Sequence, residues 1–399
     1  MFTTYWFITT SLLFLCIYWC VRKAQIRYWL LLAYCVFFHS HFAGPAGVLP
    51  IVLIGLLVYA AGLSQKKPFC MLAICTVVAA LIAYKYRDFI IESLLAPVAP
   101  GMVPALQDSF KGVFPAAAPL AISFFAFEFV HYLVEVLKGR PPIRKLTDFA
   151  AFALFFPTLI AGPIKRYHDF LPALKEGIAH VSKSDVCAGV SRVAVGFMKK
   201  LLVADNLTRW ADFQFQHFWT LPLWMRWVVA YSIVLCVYFD FSAYSDLAIG
   251  YARLMGIRVP ENFNWPIVAQ SMKEFWNRWH ISLSTWIRDY IYVPCGGSKF
   301  GLVRQCFNGM LAFLFMGLWH GAMWHYAAMG VAFGLFLVIN LSYRKALGPV
   351  GKYIGIACDR FKPLAWCLNS IGLIIGFLLF KFPLDRVFGI SKLLLNVGG

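Results

Sequence analysis

Two histidines sit where an imidazole is costly to bury. His280 lies in Trp276-Asn277-Arg278-Trp279-His280-Ile281-Ser282-Leu283-Ser284, and His320 in Phe315-Met316-Gly317-Leu318-Trp319-His320-Gly321. Imidazole is the side chain best suited to move protons near neutral pH, and polarity within a strongly apolar stretch is penalised, so both positions point to proton-transfer chemistry in a membrane enzyme. Beside His320, Gly321 permits close backbone approach and Trp319 supplies a wall with a single donor, which suits a narrow dry passage around the ring. No metal site is expected. His320 and His325 are five residues apart, about 140° around a helix, and no H-E-x-x-H or C-x-x-C accompanies them. No G-x-S-x-G elbow or P-loop is present to support hydrolase or nucleotide chemistry.

The elements that must hold these residues are helical. Ser271-Met272-Lys273-Glu274 has the form of a capping box and predicts a helix start near Ser271. Beyond it, Phe275, Trp279, Leu283 and Trp286 recur at spacings of four, four and three as one apolar stripe. Glu274 and Arg278 pair on another face, and Trp276, His280 and Ser284 line the strip between. The pattern predicts an aromatic amphipathic helix at the membrane interface, closed by Pro294-Cys295-Gly296-Gly297, with His280 on the boundary between its faces.

Composition places the whole chain in a bilayer. Of 399 residues 61% are hydrophobic and 14% charged, against an apolar share of about 45–50% in soluble proteins. The expectation is an all-α polytopic membrane protein forming a single domain over residues 1–399. It should hold roughly ten to eleven transmembrane helices of about twenty residues, with interfacial and re-entrant helices besides. Apolar stretches include Trp29 to Phe38, Val48 to Leu63, Phe114 to Leu137, Leu221 to Phe241, Phe307 to Trp319 and Leu364 to Phe382. Several are too short to span alone and predict tilted, re-entrant or broken segments. The first run, Tyr5 to Val21, has its basic residues after it and no small-residue cleavage site, which predicts a retained helix rather than a signal peptide.

The net charge of +18 is spread among short loops rather than gathered on one face, so it speaks for loops beside anionic lipid and against nucleic acid. Basic clusters at Arg22/Lys23/Arg27, Lys138/Arg140/Arg144/Lys145 and Arg344/Lys345 mark candidate cytoplasmic loops. Lys138-Gly139-Arg140-Pro141-Pro142 must break a helix, and Arg166 to Asp185 is polar enough to be interfacial. The eleven cysteines form no C-x-x-C pair and read as buried small hydrophobes.

Four blocks in chain order carry a family resemblance: Phe239-Asp240-Phe241-Ser242-Ala243-Tyr244-Ser245-Asp246, Pro260-Glu261-Asn262-Phe263-Asn264, Glu274 through Ser284, and Trp319-His320-Gly321. They resemble the membrane-bound O-acyltransferase family, closest to its bacterial branch of alginate O-acetyltransferases and teichoic-acid D-alanyl transfer proteins. Ala161-Gly162-Pro163-Ile164-Lys165-Arg166 resembles a further signature of that branch, and the specific blocks cover residues 149–340. The resemblance implies a ring of membrane helices around a central funnel or tunnel, with His320 as the catalytic residue and His280 as a second essential position. Arg278, Trp279, Ser282, Ser284, Trp319, Asp240, Asp246 and Asn262 are then the residues expected at substrate, with Arg278 to His280 on the rim of the chamber. No bound cofactor is implied. The acyl donor would be acetyl-coenzyme A or a phosphopantetheine carrier protein arriving from the cytoplasm. The acceptor would be an extracytoplasmic polysaccharide or an acyl-accepting partner protein, and the location a bacterial cytoplasmic membrane.

A buried neutral imidazole can take the proton of an acceptor hydroxyl as general base. Tyr244-Ser245-Asp246 and Ile291 through Gly297 resemble the acetyl branch, whereas Met272 through Asn277 resembles the D-alanyl branch at least as much, and Ala243 stands where the family often has glycine. Acetyl is the favoured group and D-alanyl the alternative. A lipid-linked sugar transporter is the reading of another class, with Glu128, His131, Asp240 and Asp246 lining its path, although no internal repeat is visible.

Overall fold

The computed structural model describes residues 1–110 and 118–396, and no strand forms among them. Six helices among the described residues are long and apolar enough to cross a membrane: Ala24–Ser64, Lys67–Leu95, Leu223–Leu254, Gly301–His320, Trp324–Ala346 and Lys362–Lys381. Shorter apolar helices such as Tyr5–Cys20 accompany them. The protein is therefore an all-α polytopic membrane protein. Its chain forms two compact units, Met1–Val195 with Tyr244–Pro260, and Gly196–Ala243 with Glu261–Gly399.

In the first unit, α1 (Tyr5–Cys20) starts at Thr4, whose hydroxyl accepts the Phe7 N–H. The next helix, α2 (Ala24–Ser64), contains Pro45 and Pro50, and Gly44 leaves helical geometry at φ 64, ψ 171. That break is a reversal. Tyr28 near one end donates to Asp148, and Tyr59 near the other donates to the Arg144 carbonyl. Those two tyrosines would lie about 46 Å apart on a straight helix, too far to reach sites four residues from each other. The two apolar stretches read separately from the sequence are thus two arms, each of about twenty residues and about 30 Å. Glycine is needed at the turn because its φ is positive and the following proline lacks a donor.

The stretch expected from Phe114 begins outside the described residues and emerges as α3 (Ile122–Leu137). It ends where the consecutive prolines required, with Gly139 at φ 94. After α4 (Leu146–Ala153), the Gly162-Pro163 turn leads into α5 (Tyr167–Ala179). Lys165 in this turn is 1% exposed and ion-paired with Glu128 of α3, while His131 Nε2 accepts the Tyr167 N–H at 3.1 Å. These buried polar groups of α3, offered by the sequence as a transport path, hold the turn in place.

The second unit carries the histidines. It contains the part of α6 (Leu223–Leu254) up to Ala243, then two short helices, α7 (Met272–Arg278) and α8 (Ile281–Ile287). The spanning helices α9 (Gly301–His320), α10 (Trp324–Ala346) and α11 (Lys362–Lys381) follow. The α9 and α10 backbones meet at glycine. A Cβ on Gly317 would lie 2.3 Å from the Tyr326 carbonyl oxygen, and one on Gly330 2.5 Å from that of Phe313. Small residues at such crossings give close van der Waals packing where lipid supplies no hydrophobic drive between helices.

Candidate active site

The Ser271 cap forms as its sequence required. Its hydroxyl accepts the Glu274 N–H at 3.2 Å, but the Glu274 carboxylate reaches one residue further back than expected, to the Gln270 N–H at 2.9 Å. The single amphipathic helix predicted beyond it is corrected by the structure. It breaks after Arg278, and His280 adopts left-handed backbone geometry at φ 43, ψ 52 between α7 and α8.

The cause is a segment outside the local periodicity. Asn264 N–H donates to the Arg278 carbonyl at 2.9 Å, and the Ile281 N–H donates to the Asn262 carbonyl at 2.9 Å. Ends of two helices that would otherwise be unsatisfied are thereby bonded to residues 262–264. Phe275, Trp279, Leu283 and Trp286 stay buried across the break, so the stripe survives without one continuous helix. His280 is not at the face boundary predicted for it; it is 2% exposed, with Phe241 of α6 edge-on at 4.7 Å.

Asn262 decides the state of that imidazole. Fully buried, its Oδ1 accepts the Ser282 Oγ–H at 2.8 Å and the Ser282 N–H at 3.3 Å, and lies 3.2 Å from His280 Nδ1. A backbone N–H can only donate, so the atom facing it is the amide oxygen, and an oxygen in that position requires the proton on Nδ1. The Nε2 lone pair is then the basic one. Nε2 is buried and, among the described residues, has no hydrogen-bond partner. Burial, with the His320 imidazole as a second cause, holds His280 well below its ordinary pKa, so it is neutral near pH 7.

His320 is the last residue of α9, partly exposed, where the Trp319 indole joins it to His280. The Trp319 ring lies 4.8 Å from His320 and 6.2 Å from His280. Phe380 of α11 packs edge-on against His320 at 5.4 Å, and the Tyr326 ring of α10 lies 6.3 Å away. Gly321 is tight as anticipated: a Cβ there would come within 2.3 Å of the Tyr326 ring. Neither Tyr326 nor Phe380 was singled out from the sequence, because nothing local ties α11 to the Trp-His-Gly block.

The remaining expected site residues divide. Ser282 is spent on Asn262, and Trp279 stacks on Phe275 at 5.3 Å within the buried aromatic layer. Arg278 clamps the break, donating to Glu274 at 3.0 Å and to the Asn264 carbonyl at 3.2 Å. Asp240 is ion-paired with Lys200 at 2.6 Å on an exposed face. Asp246 belongs to the first unit, where Arg192 holds it at 2.6 Å. Ser284 lines a cavity of about 510 Å³ in the second unit. That cavity follows α9 from Gln305 to Met316, about 16 Å along the helix. Lys273 and Arg288 line it too, as does Trp276, whose buried indole N–H lacks a hydrogen-bond partner among the described residues.

An apolar cleft with a few convergent polar groups, reaching Ile281 beside His280 and Met316 one helical turn before His320, has the character of a ligand-binding site in an integral membrane protein. The model of the membrane-bound O-acyltransferase family matches residues 139–350, and the chain belongs to that family. It is 38% identical over 334 residues to the "Probable alginate O-acetylase" of Pseudomonas putida, covering 82% of this chain and 65% of that protein. It is 30% identical over 309 residues to the peptidoglycan O-acetyltransferase of Helicobacter pylori, covering 71% of this chain and 57% of that protein. With the teichoic acid D-alanyltransferase of Bacillus subtilis it shares 30% identity over 224 residues, 53% of this chain and 56% of that protein. The chain thus spans less than two thirds of the length of these relatives.

Proposed function

We propose that this protein is an O-acyltransferase of a bacterial cytoplasmic membrane. It moves an acyl group, acetyl in the favoured reading, from a cytoplasmic thioester donor to a hydroxyl of an extracytoplasmic envelope polysaccharide or of an acyl-accepting partner protein. The observation that carries the reading is the imidazole pair at Trp319, in which His280 is a neutral ring with a buried, unpartnered Nε2. His320, at the open end of α9, takes the proton of the acceptor hydroxyl as its oxygen attacks the thioester carbonyl. The C–S bond breaks and the departing sulfur receives the proton, which restores neutral His320. His280 Nε2 offers a second basic site on the same indole wall, able to accept or orient that proton.

The 510 Å³ cavity suits the extended arm of such a donor. Lys273 and Arg288 would face its charged end and the Trp276 N–H a carbonyl along the arm. Acetyl is favoured by the greater likeness to the alginate relative, and D-alanyl transfer is the alternative raised by the teichoic acid relative.

The test offers the purified protein labelled acetyl-coenzyme A beside a D-alanyl carrier protein. His320→Ala should accumulate normally in the membrane yet lower turnover by about 10²–10⁴, the range for losing general acid–base help. Near-normal turnover in that variant removes His320 from the chemistry. Transfer from neither donor removes the proposed function.

A further inference from the structure

A second cavity, of about 420 Å³, lies wholly within the first unit and plays no part in the acyl-transfer reading. It is lined by Arg140, Arg144, Lys145 and Lys175, with Asp148 as its carboxylate and His168 beside them. The charges do not cancel. Asp148 is fully engaged, one oxygen accepting from Tyr28 at 2.8 Å and the other ion-paired with Lys175 at 2.9 Å. Arg140 is held by Glu135 at 2.8 Å, and Lys138 shares that carboxylate. Among the described residues Arg144 and Lys145 have no ion-pair partner, and both are exposed. The His168 imidazole beside them is turned to a carboxylate of its own, Nε2 lying 3.5 Å from Asp169, so the excess positive charge rests on Arg144 and Lys145. Two uncompensated cations in one concavity fit an oxyanion bearing several acceptor oxygens, such as a phosphate.

Its depth indicates where that phosphate comes from. The two tyrosines that bond the cavity wall, Tyr28 to Asp148 and Tyr59 to the Arg144 carbonyl, stand near the outer ends of the two arms of α2. Each arm is about as long as the hydrocarbon core is thick, so both ends, and the cavity between them, lie at headgroup level. Tyrosine is the residue expected at that level.

We propose that this cavity binds the phosphate of an anionic phospholipid headgroup, with Arg144 and Lys145 as its principal contacts. The site shares no residue with the proposed catalytic machinery, so its occupancy can be measured whether or not acyl transfer is observed.

Native mass spectrometry of the full-length protein in detergent, titrated with phosphatidylglycerol or with phosphatidylcholine of the same chains, provides the test. Phosphatidylglycerol should be retained more tightly. Arg144→Gln with Lys145→Gln should weaken it about thirty-fold, since each cation near an anionic headgroup contributes about a five-fold factor. The charge-conserving pair Arg144→Lys with Lys145→Arg should keep the preference, which separates lost charge from lost folding. Lys299→Gln with Lys352→Gln, distant in sequence from the cavity, should leave it intact. Equal binding of the two lipids, or a glutamine pair that binds as the parent does, overturns the proposal. Displacement of bound phosphatidylglycerol by an equimolar amount of inorganic phosphate overturns the lipid source and assigns the cavity to a soluble phosphate.

Discussion

Asn262→Ala removes one oxygen and leaves three donors without their acceptor: the Ser282 hydroxyl at 2.8 Å, the Ser282 N–H at 3.3 Å and His280 Nδ1–H at 3.2 Å. The hydroxyl can rotate to another acceptor, but the other two are fixed, and each buried donor left unmade costs about 1–3 kcal/mol. A loss of about 2–6 kcal/mol in stability is therefore expected from the two, read as a lower unfolding midpoint in detergent. The effect on chemistry is separate. A net hydrogen-bond contribution of about 0.5–1.5 kcal/mol corresponds to a two- to thirteen-fold shift between the two neutral tautomers of His280. With the two tautomers otherwise equal, the Nε2-basic form falls from about 70–93% to about half, so turnover of the folded fraction should fall by up to about two-fold if Nε2 must be the basic nitrogen.

Asn262→Asp keeps the acceptor and should retain the tautomer, but it places a negative charge beside the ring. A carboxylate favours the imidazolium and raises the His280 pKa from its depressed value. The protonated form that then appears as pH falls cannot act as a base, so the aspartate variant should lose activity on the acid side where the parent does not on account of this residue. Initial rates with a labelled thioester donor give the turnover, and nitrogen-15 spectra of histidine-labelled protein give the tautomer. A folded Asn262→Ala protein with parental turnover and an unchanged Nδ1–H tautomer would refute the reasoning.

Two further expectations concern the scaffold and the direction of transfer. Gly317→Ala drives a Cβ to 2.3 Å from the Tyr326 carbonyl oxygen and 2.8 Å from the Gly330 backbone, so α9 and α10 must part, at a cost of about 1–3 kcal/mol. Gly309→Ala, which would meet only the tip of Leu337 at 3.4 Å, is its internal control, and equal melting of the two variants would contradict the backbone contact. For direction, the basic loops at Lys138 to Lys145 and at Arg344/Lys345 should face the cytoplasm, where the donor is made. Gly139 is a poor reporter because its φ of 94 would strain any side chain. Lys145→Cys and Lys345→Cys in a background lacking other reactive thiols should label only from the cytoplasmic side, and labelling of either on intact cells by an impermeant reagent would reverse the proposed topology.

What the sequence makes legible is whatever short-range pattern controls. The proline pair after Lys138 stops α3, the serine at 271 caps α7, and the two arms of α2 stand out as separate apolar runs because their reversal is written in adjacent Gly44 and Pro45. The stripe from Phe275 to Trp286 is legible as burial but misleading as geometry, since periodicity alone describes one helix and carries no sign of a competing partner. That partner is Asn262, eighteen residues before His280, and its bonds to the far side of the break replace those a continuous helix would make.

The same limit governs the chemistry. An imidazole buried among tryptophans advertises itself by its cost, so both histidines can be picked out unaided. Which nitrogen of His280 is basic depends on a single side-chain oxygen brought in by the fold, and a tautomer has no signature in the residues next to it. Asn262 reads from sequence as one more polar residue in a family-like block expected at substrate. In the structure its oxygen is turned toward Ser282 and His280, so its effect on any substrate passes through the ring it orients, and the break in the helix and the basicity of Nε2 have one origin.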